Sequence, residues 1–322
     1  MNNGYVDFPE VRELKAKTIQ LDTALFRYPF RVHAWDNKAV VLDLHGTDHY
    51  FHAFSYPEFR YLSSFGKKGD APEEMLSAEN FRWSEKGLWI LDANKSELTE
   101  LVFTLSSDTL FCQEVVKLDK EILRALDFVI YEDSTFIIPD YTGDNRFCHV
   151  SSEGRLLRKF GVIPSANEEA LANSRPALAQ AWRSFIDYNP RKGVLVAATQ
   201  LGEVLEIYNL KVGPHGEPEF QVAEGYGIPT GIMGFGDVQV TDNAIYAVFQ
   251  GKSFKDIMES AKQGNKLPDG GQSIYVFSLK GEPLRKYVLD HYVHGIFVDE
   301  QRGVITALDV NMDEPIMEFD IS

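Results

Sequence analysis

Six times along this chain a short apolar alternation leads into a polar turn and then a second apolar run. The pairs are Val32–Trp35 with Val40–Asp43, Phe81–Trp83 with Leu88–Asp92, and Phe128–Tyr131 with Phe136–Asp140. They continue as Phe185–Tyr188 with Val194–Ala198, Val238–Val240 with Ile245–Phe249, and Ile296–Val298 with Val304–Asp309. The connecting residues, such as Asp36-Asn37-Lys38, Ser84-Glu85-Lys86-Gly87 and Thr241-Asp242-Asn243, are hairpin turns by composition. Gly and Asn tolerate positive φ there, and Asp or Ser caps its own turn. A repeat of this kind limits the fold strongly. Each unit has apolar faces it cannot bury alone, so successive units must pack on one another.

A second hairpin follows most of the first ones. Cys148–Phe160 and Val276–Tyr287 both read strand, Gly turn, then Leu-Arg-Lys-aromatic, and units end on Phe65-Gly66, Phe160-Gly161 and Tyr226-Gly227. The repeat therefore holds four strands, and 322 residues over six units leave about 54 each. Four-stranded units of that length predict an all-β chain, a six-bladed β-propeller of four-stranded antiparallel blades in a single domain spanning 1–322. The last unit has room for only three strands: Ile296–Val298, Val304–Leu308 and Ile316–Phe319. The orphan segment 17–21 near the N-terminus is expected to supply the fourth and close the ring, which removes two exposed sheet edges.

These features resemble the TolB-like six-bladed propellers and, more loosely, the NHL-repeat propellers. The most specific piece is Phe65-Gly66-Lys67-Lys68-Gly69-Asp70-Ala71-Pro72-Glu73-Glu74-Met75. It is similar to the aromatic-Gly-x-x-Gly-x-x-Pro-x-Glu-aromatic stretch that joins two blades in that class, with Met75 where an aromatic residue is usual. The resemblance implies a Gram-negative envelope protein, often a lipoprotein, and supports fold more than function.

Two segments break the strand pattern. Residues 165–183 carry two helix-favouring stretches around Pro176. Residues 253–272 carry apolar Phe254, Ile257, Met258 and Ala261, at the spacing of one helix face, with Gly264 as the stop signal. One enters an inner strand and the other joins strands two and three of the fifth unit. Alternating strand direction puts both on the same face, where they would wall a pocket.

That face also carries the residue preceding each inner apolar run: Arg31, Asn80, Asp127, Ser184, Asp237, and His294 beside Gly295. Converging there, these six form the expected ligand-binding set, with no catalytic residue identified. An acid pair at Asp127 and Asp237 could hold a divalent cation such as calcium. Arg31 would oppose a cation and favour an anionic or zwitterionic ligand, so no metal ligand and no obligatory cofactor is assigned. The leading expectation is a non-enzymatic binding module that recognises a small polar ligand or a protein partner on the insertion-bearing face. The alternative is a metal-dependent hydrolase or lactonase, as the gluconolactonase-like propellers imply, using Asn80, Asp127 and Asp237.

Composition narrows the partners. Acids outnumber bases 48 to 32, a net charge of -16, which argues against nucleic acid. No window approaches the apolar length of a membrane helix, and there is no GxSxG, Walker loop or HExxH. Gly231–Gly236 is glycine-rich but precedes a strand, so it makes no phosphate cradle. Cys112 and Cys148 fit no metal or disulfide framework. Trp35, Trp83, Trp89 and Trp182 are expected to pack between blades or under a lid. A monomer is expected. A secretory segment ahead of Met1 would place it in the periplasm or at the outer membrane; otherwise it is cytoplasmic.

Overall fold

A computed structural model describes residues 8–22, 26–103, 110–132, 135–142, 145–163, 179–212, 218–226, 231–265 and 267–322. The chain divides into two compact halves, residues 19–180 and residues 1–18 with 181–322. Each half carries three antiparallel blades, giving the six four-stranded blades of the propeller.

In the first half, blade one runs Pro29–Trp35, Lys38–Asp43, His49–Ser55 and Tyr61–Lys67, with neighbours in sequence also neighbours in the sheet. Blade two is Ala78–Trp83, Leu88–Asp92, Glu97–Phe103 and Leu110–Lys117, and blade three is Val129–Tyr131, Thr135–Pro139, Phe147–Val150 and Leu156–Phe160. Second strands such as Leu88–Asp92 are buried at every position. A neighbouring blade covers both of their faces, which is why they read as unbroken apolar runs rather than alternations. Outer strands such as Leu110–Lys117 are mostly exposed. One apolar cluster, with Phe51, Phe81 and Ile90, glues blades one and two. Another, with Trp89, Phe128 and Phe136, glues blades two and three.

The blade-joining motif at 65–75 folds as its glycines demand. Gly66 has φ +65, and a Cβ there would stand 2.7 Å from the Phe51 ring. The chain then turns back, so Lys68 bridges Met75 and the Met75 N–H donates to the Lys67 carbonyl at 2.8 Å. Met75 is buried in the cluster between blades one and two, taking the apolar place of the usual aromatic.

In the second half, blade four is Ser184–Asn189, Val194–Thr199, Leu205–Val212 and Pro218–Tyr226. Blade five is Phe235–Val240, Ala244–Phe249, Gly271–Ser278 and Pro283–Val293. Blade six is Ile296–Asp299, Val304–Leu308 and Ile316–Asp320, completed by an N-terminal strand, Ala16–Thr18, antiparallel to Ile316–Asp320. Closure is thus as expected, but the strand is 16–18 rather than 17–21. Its partner starts directly after Pro315, which has no N–H to extend the ladder. Val11–Leu14 adds a fifth, parallel strand to blade five, in register with Lys286–Leu289. It is too short to carry a sequence signal; Leu14 alone is buried, in the cluster shared by blades five and six.

The 253–272 insertion is the helix α1, Phe254–Lys262. Ser253 caps it by accepting from the Asp256 N–H at 3.0 Å, and Gly264 follows its end with φ +76. Of the 165–183 insertion, 164–178 lie outside the described residues, and 179–181 form a helical turn leading into blade four.

Candidate functional site

The polar residues ahead of the inner strands are all buried, and each is engaged by a backbone group or by another side chain. In the half containing blades one to three, Asp127 Oδ1 accepts from Asn80 Nδ2 at 2.6 Å, from Arg82 Nη2 at 2.9 Å and from the Phe128 N–H at 2.8 Å. Arg82 also donates through Nε to the Phe128 carbonyl at 2.8 Å, and Asn80 Oδ1 accepts from the Phe81 N–H at 2.8 Å. Asn80 and Asp127 are therefore brought together, as a clamp between blades two and three. Arg31 lies over the Phe30 ring at 4.3 Å and donates to the Phe30 carbonyl.

The other half repeats the device. Asp237 accepts from its own neighbour, the Val238 N–H, at 2.9 Å and from the Ile296 N–H of blade six at 2.9 Å. One turn along the same strand, Gln239 Oε1 accepts from the Val298 N–H at 2.7 Å, and Asp187 of blade four accepts from the Val240 N–H at 2.7 Å. The cause is plain. An innermost strand has one edge with no strand beside it, and its N–H groups need acceptors. A side chain from the preceding blade supplies them. Ser184 Oγ donates to the Trp182 carbonyl at 2.8 Å, a contact local to its own blade.

His294 has a partner that the sequence did not indicate. Its Nε2 stands 3.0 Å from Asp269 Oδ1, at the end of the inserted segment. Asp269 is tied in turn to Asn311, which accepts from the Asp269 N–H at 2.9 Å and donates to its carbonyl at 2.9 Å. Gly236 leaves space here: a Cβ on it would meet Gln250 Nε2 at 3.3 Å and His294 Nδ1 at 3.6 Å. Lys252 Nζ donates to the Gly270 carbonyl at 2.8 Å and lies over the Tyr292 ring at 4.5 Å, pinning the returning loop. Burial lowers its pKa, partly offset by Asp269.

The insertion rises from the end of blade five that carries Asp237, in keeping with strand parity. Ile232 bridges Ser253, and the Phe254 N–H donates to the Gly231 carbonyl at 3.0 Å. No residue of α1 is buried. Phe254 is 42% exposed and Met258 59% exposed, so its apolar side faces outward.

A second recurrent acid closes the second strand of four blades: Asp43, Asp92, Asp140 and Asp309, all buried. Asp92 accepts from the Leu76, Ser77, Asn94 and Lys95 N–H groups, and Asp43 from those of Arg27, Tyr28 and His45. These carboxylates organise the loops entering the inner strands. The recurrence was legible as the last residue of four apolar runs. Among the described residues, no three His, Cys, Asp or Glu side chains are grouped as a metal site.

Cys148 is buried and its thiol is pushed up to about 12 by burial, with Asp140 adding to the effect, whereas Cys112 is exposed on an outer strand. Trp89 and Trp182 are buried as expected. Trp35 is not: it is 53% exposed and shares a surface cleft with Trp83. Among the described residues, no helix is long and apolar enough to cross a membrane.

Comparison with known proteins agrees with this architecture. An exported protein of Bacteroides fragilis, so described, superposes with a TM-score of 0.59 at 10% identity, over 96% of this chain and 98% of that one. An auxiliary nutrient binding protein of Bacteroides ovatus superposes with a TM-score of 0.57 at 7% identity, over 92% of this chain and 69% of that one. At such identities the likeness is one of fold. No curated protein sequence matches the chain. The TolB-like 6-blade propeller-like family matches residues 7–301, and the chain belongs to that family.

Proposed function

We propose that this protein is a binding module whose recognition surface is the insertion-bearing end of blade five, and that its partner is another protein. The observation that carries the reading is α1. Its cap, its Asp256 in the first turn, its Lys262 in the last and its Lys255–Glu259 pair stabilise it without tertiary packing. Yet Phe254, Ile257, Met258 and Ala261 form an apolar side that the described residues leave unburied. An amphipathic helix held outside the core of a strongly acidic protein suits docking into a partner's groove. Asp269, partly exposed beside His294, offers a polar contact at the base of the same surface. The expected six-residue polar set is a weaker basis for recognition, since Asp127 is already engaged by Asn80, Arg82 and the Phe128 N–H, and Asp237 by the Val238 and Ile296 N–H groups. An envelope location goes with this reading, supported by the exported description of the similar Bacteroides fragilis protein.

The test is photocrosslinking in the native host with benzoylphenylalanine at position 258, and at position 157 on an exposed outer strand as control. A discrete light-dependent protein adduct at 258 that is missing at 157 is the expected result. No adduct at 258, or the same adducts at both positions, would refute it.

A further inference from the structure

A different surface, in the other half of the chain, has the makings of a ligand site. The strand-one to strand-two hairpins of blades one and two border a cleft of 540 Å³, within the size range of small-molecule sites. Its apolar wall is aromatic: Trp35, Trp83 and Phe103. Trp83 and Phe103 are stacked, with centroids 5.9 Å apart and planes 16° apart, and Trp83 Nε1 donates to the His33 carbonyl of blade one at 3.4 Å. Trp83 is thus fixed in place, whereas Trp35 stands out from the hairpin with more than half of its surface in water. A large exposed indole on a rigid turn is costly to leave in water and is typical of a contact surface.

The turns that carry these rings are well defined. Asp36 sits at φ +54, as a tight hairpin requires, and the Asn37 carbonyl accepts from the Tyr56 N–H at 2.8 Å. In the second turn the Ser84 N–H donates to the Gly87 carbonyl at 2.8 Å, while Ser84 Oγ accepts from the Gly87 N–H at 3.1 Å. Gly87 cannot be replaced there, because a Cβ would lie 2.2 Å from the Leu101 carbonyl oxygen. The cleft is therefore preformed, and little ordering cost opposes binding.

The charges of the rim select the ligand class. Asp36 and Lys38 on one hairpin and Glu85 and Lys86 on the other border the same cleft, so neither sign prevails. Lys38 Nζ already lies 5.2 Å over the Phe103 ring, which disfavours a cationic ligand on that aromatic face. A wholly apolar ligand would bring nothing for the polar rim of the cleft to bind. What satisfies both parts is an uncharged molecule with an apolar face for the indoles and hydroxyls around its edge. A pyranose ring has this construction: axial C–H groups on one face, equatorial hydroxyls on the periphery. We infer that the Trp35–Trp83 cleft between blades one and two is a binding site for a neutral oligosaccharide, of about two or three sugar units for this volume. The inference is independent of the α1 surface, which lies in the other half of the chain.

Isothermal titration with cellotriose, maltotriose, tri-N-acetylchitotriose and trigalacturonate tests it, with a ten-residue polyproline peptide as a further probe. At least one of the three neutral trisaccharides should bind, in the micromolar to millimolar range, and Trp35→Ala should weaken that binding by about tenfold or more. Trp35 is exposed, so Trp35→Ala should melt within about 2 °C of wild type, since surface changes seldom cost much. Glu85→Gln, which keeps shape and removes charge, should reduce the same affinity severalfold. No binding of any neutral trisaccharide at 10 mM (about the weakest association worth assigning) overturns the inference. So does binding unchanged by Trp35→Ala, and so does binding confined to trigalacturonate or to polyproline.

Discussion

Replacing Asp127 with Ala should destabilise the protein severely, whether or not any ligand is present. Its Oδ1 receives an amide, a guanidinium and a backbone N–H within 2.6–2.9 Å, and the residue is 2% exposed. Truncation leaves the fully buried Phe128 with an N–H lacking its acceptor, and parts Arg82 from its counter-charge. Breaking a buried ion pair from one side costs about 3–5 kcal/mol. The Arg82 side chain keeps 15% exposure and can recruit water, which argues for the lower part of that range, about 3–4 kcal/mol. Unfolding entropy of about 2.1 cal/mol/K per residue converts this to a melting point lower by about 5 °C in a chain of this length. Asp127→Asn keeps an acceptor and loses the charge, so it should cost roughly half as much. In a double-mutant cycle with Arg82→Ala, the pair should show a coupling of at least about 1 kcal/mol. Differential scanning calorimetry compares all four variants with wild type. If Asp127→Ala melts within about 1 °C of wild type, the clamp between blades two and three contributes nothing and the residue is free for another role.

Other consequences follow from the same structure. Three imidazoles in the first half, His33, His52 and His149, are held down to about 4, chiefly by burial, with the charges of Arg82 and Arg158 acting further on His33 and His149. Unfolded histidines titrate near 6.5, so the unfolded chain binds more protons between pH 6.5 and 4. Stability should be full above pH 6.5 and fall steadily towards pH 4; denaturant midpoints that stay flat across this window would refute the assignment. Deleting residues 1–18 removes the strand beside Ile316–Asp320, the strand beside Lys286–Leu289, and Phe8 from its place against Tyr275 and Phe277. The truncated protein should melt at least about 5 °C lower and aggregate through its new edge, and an unchanged melting curve would count against closure by this strand. Gly154→Ala places a Cβ 1.9 Å from the Lys117 carbonyl oxygen at φ +83, whereas Gly264→Ala at φ +76 meets nothing within 4 Å. Urea titration should show the first costing about 2 kcal/mol or more and the second about 1.

The blades were readable in the sequence because each inner hairpin pairs an alternating strand with an unbroken apolar one, and that contrast follows from coverage by neighbouring blades. The helix at 253–272 was readable for the opposite reason: its cap, apolar face and terminal glycine are local signals. What the sequence misplaced depended on partners distant in the chain. Where the closing strand ends is set by its partner Ile316–Asp320, almost 300 residues further along, with Thr18 opposite Met317 as the last pair. Val11–Leu14 is a strand because blade five offers an edge, not because its four residues favour one. The polar residues before the inner strands were visible as a pattern, but acceptors for a neighbour's N–H groups and ligands for a guest have the same residue types. Only the distances of Asp127 and Asp237 to those N–H groups separate the two uses. His294 was singled out without its Asp269, which arrives from the insertion 25 residues earlier. Trp35 looked like an inter-blade filler because indoles usually are.

The proposed function divides the molecule into a scaffold held by inner-strand clamps and a recognition helix that the scaffold does not need. Replacing residues 255–263 with a short Gly-Ser linker tests it directly, leaving Ser253, Phe254 and their bonds to Ile232 and Gly231 in place. Because no residue of α1 is buried, the replaced protein should melt within about 2 °C of wild type. In the same cells, quantitative capture of the partner identified through position 258 should fall to background. A collapsed melting point would show that the helix belongs to the core, and undiminished capture by a stable replacement protein would show that recognition lies elsewhere.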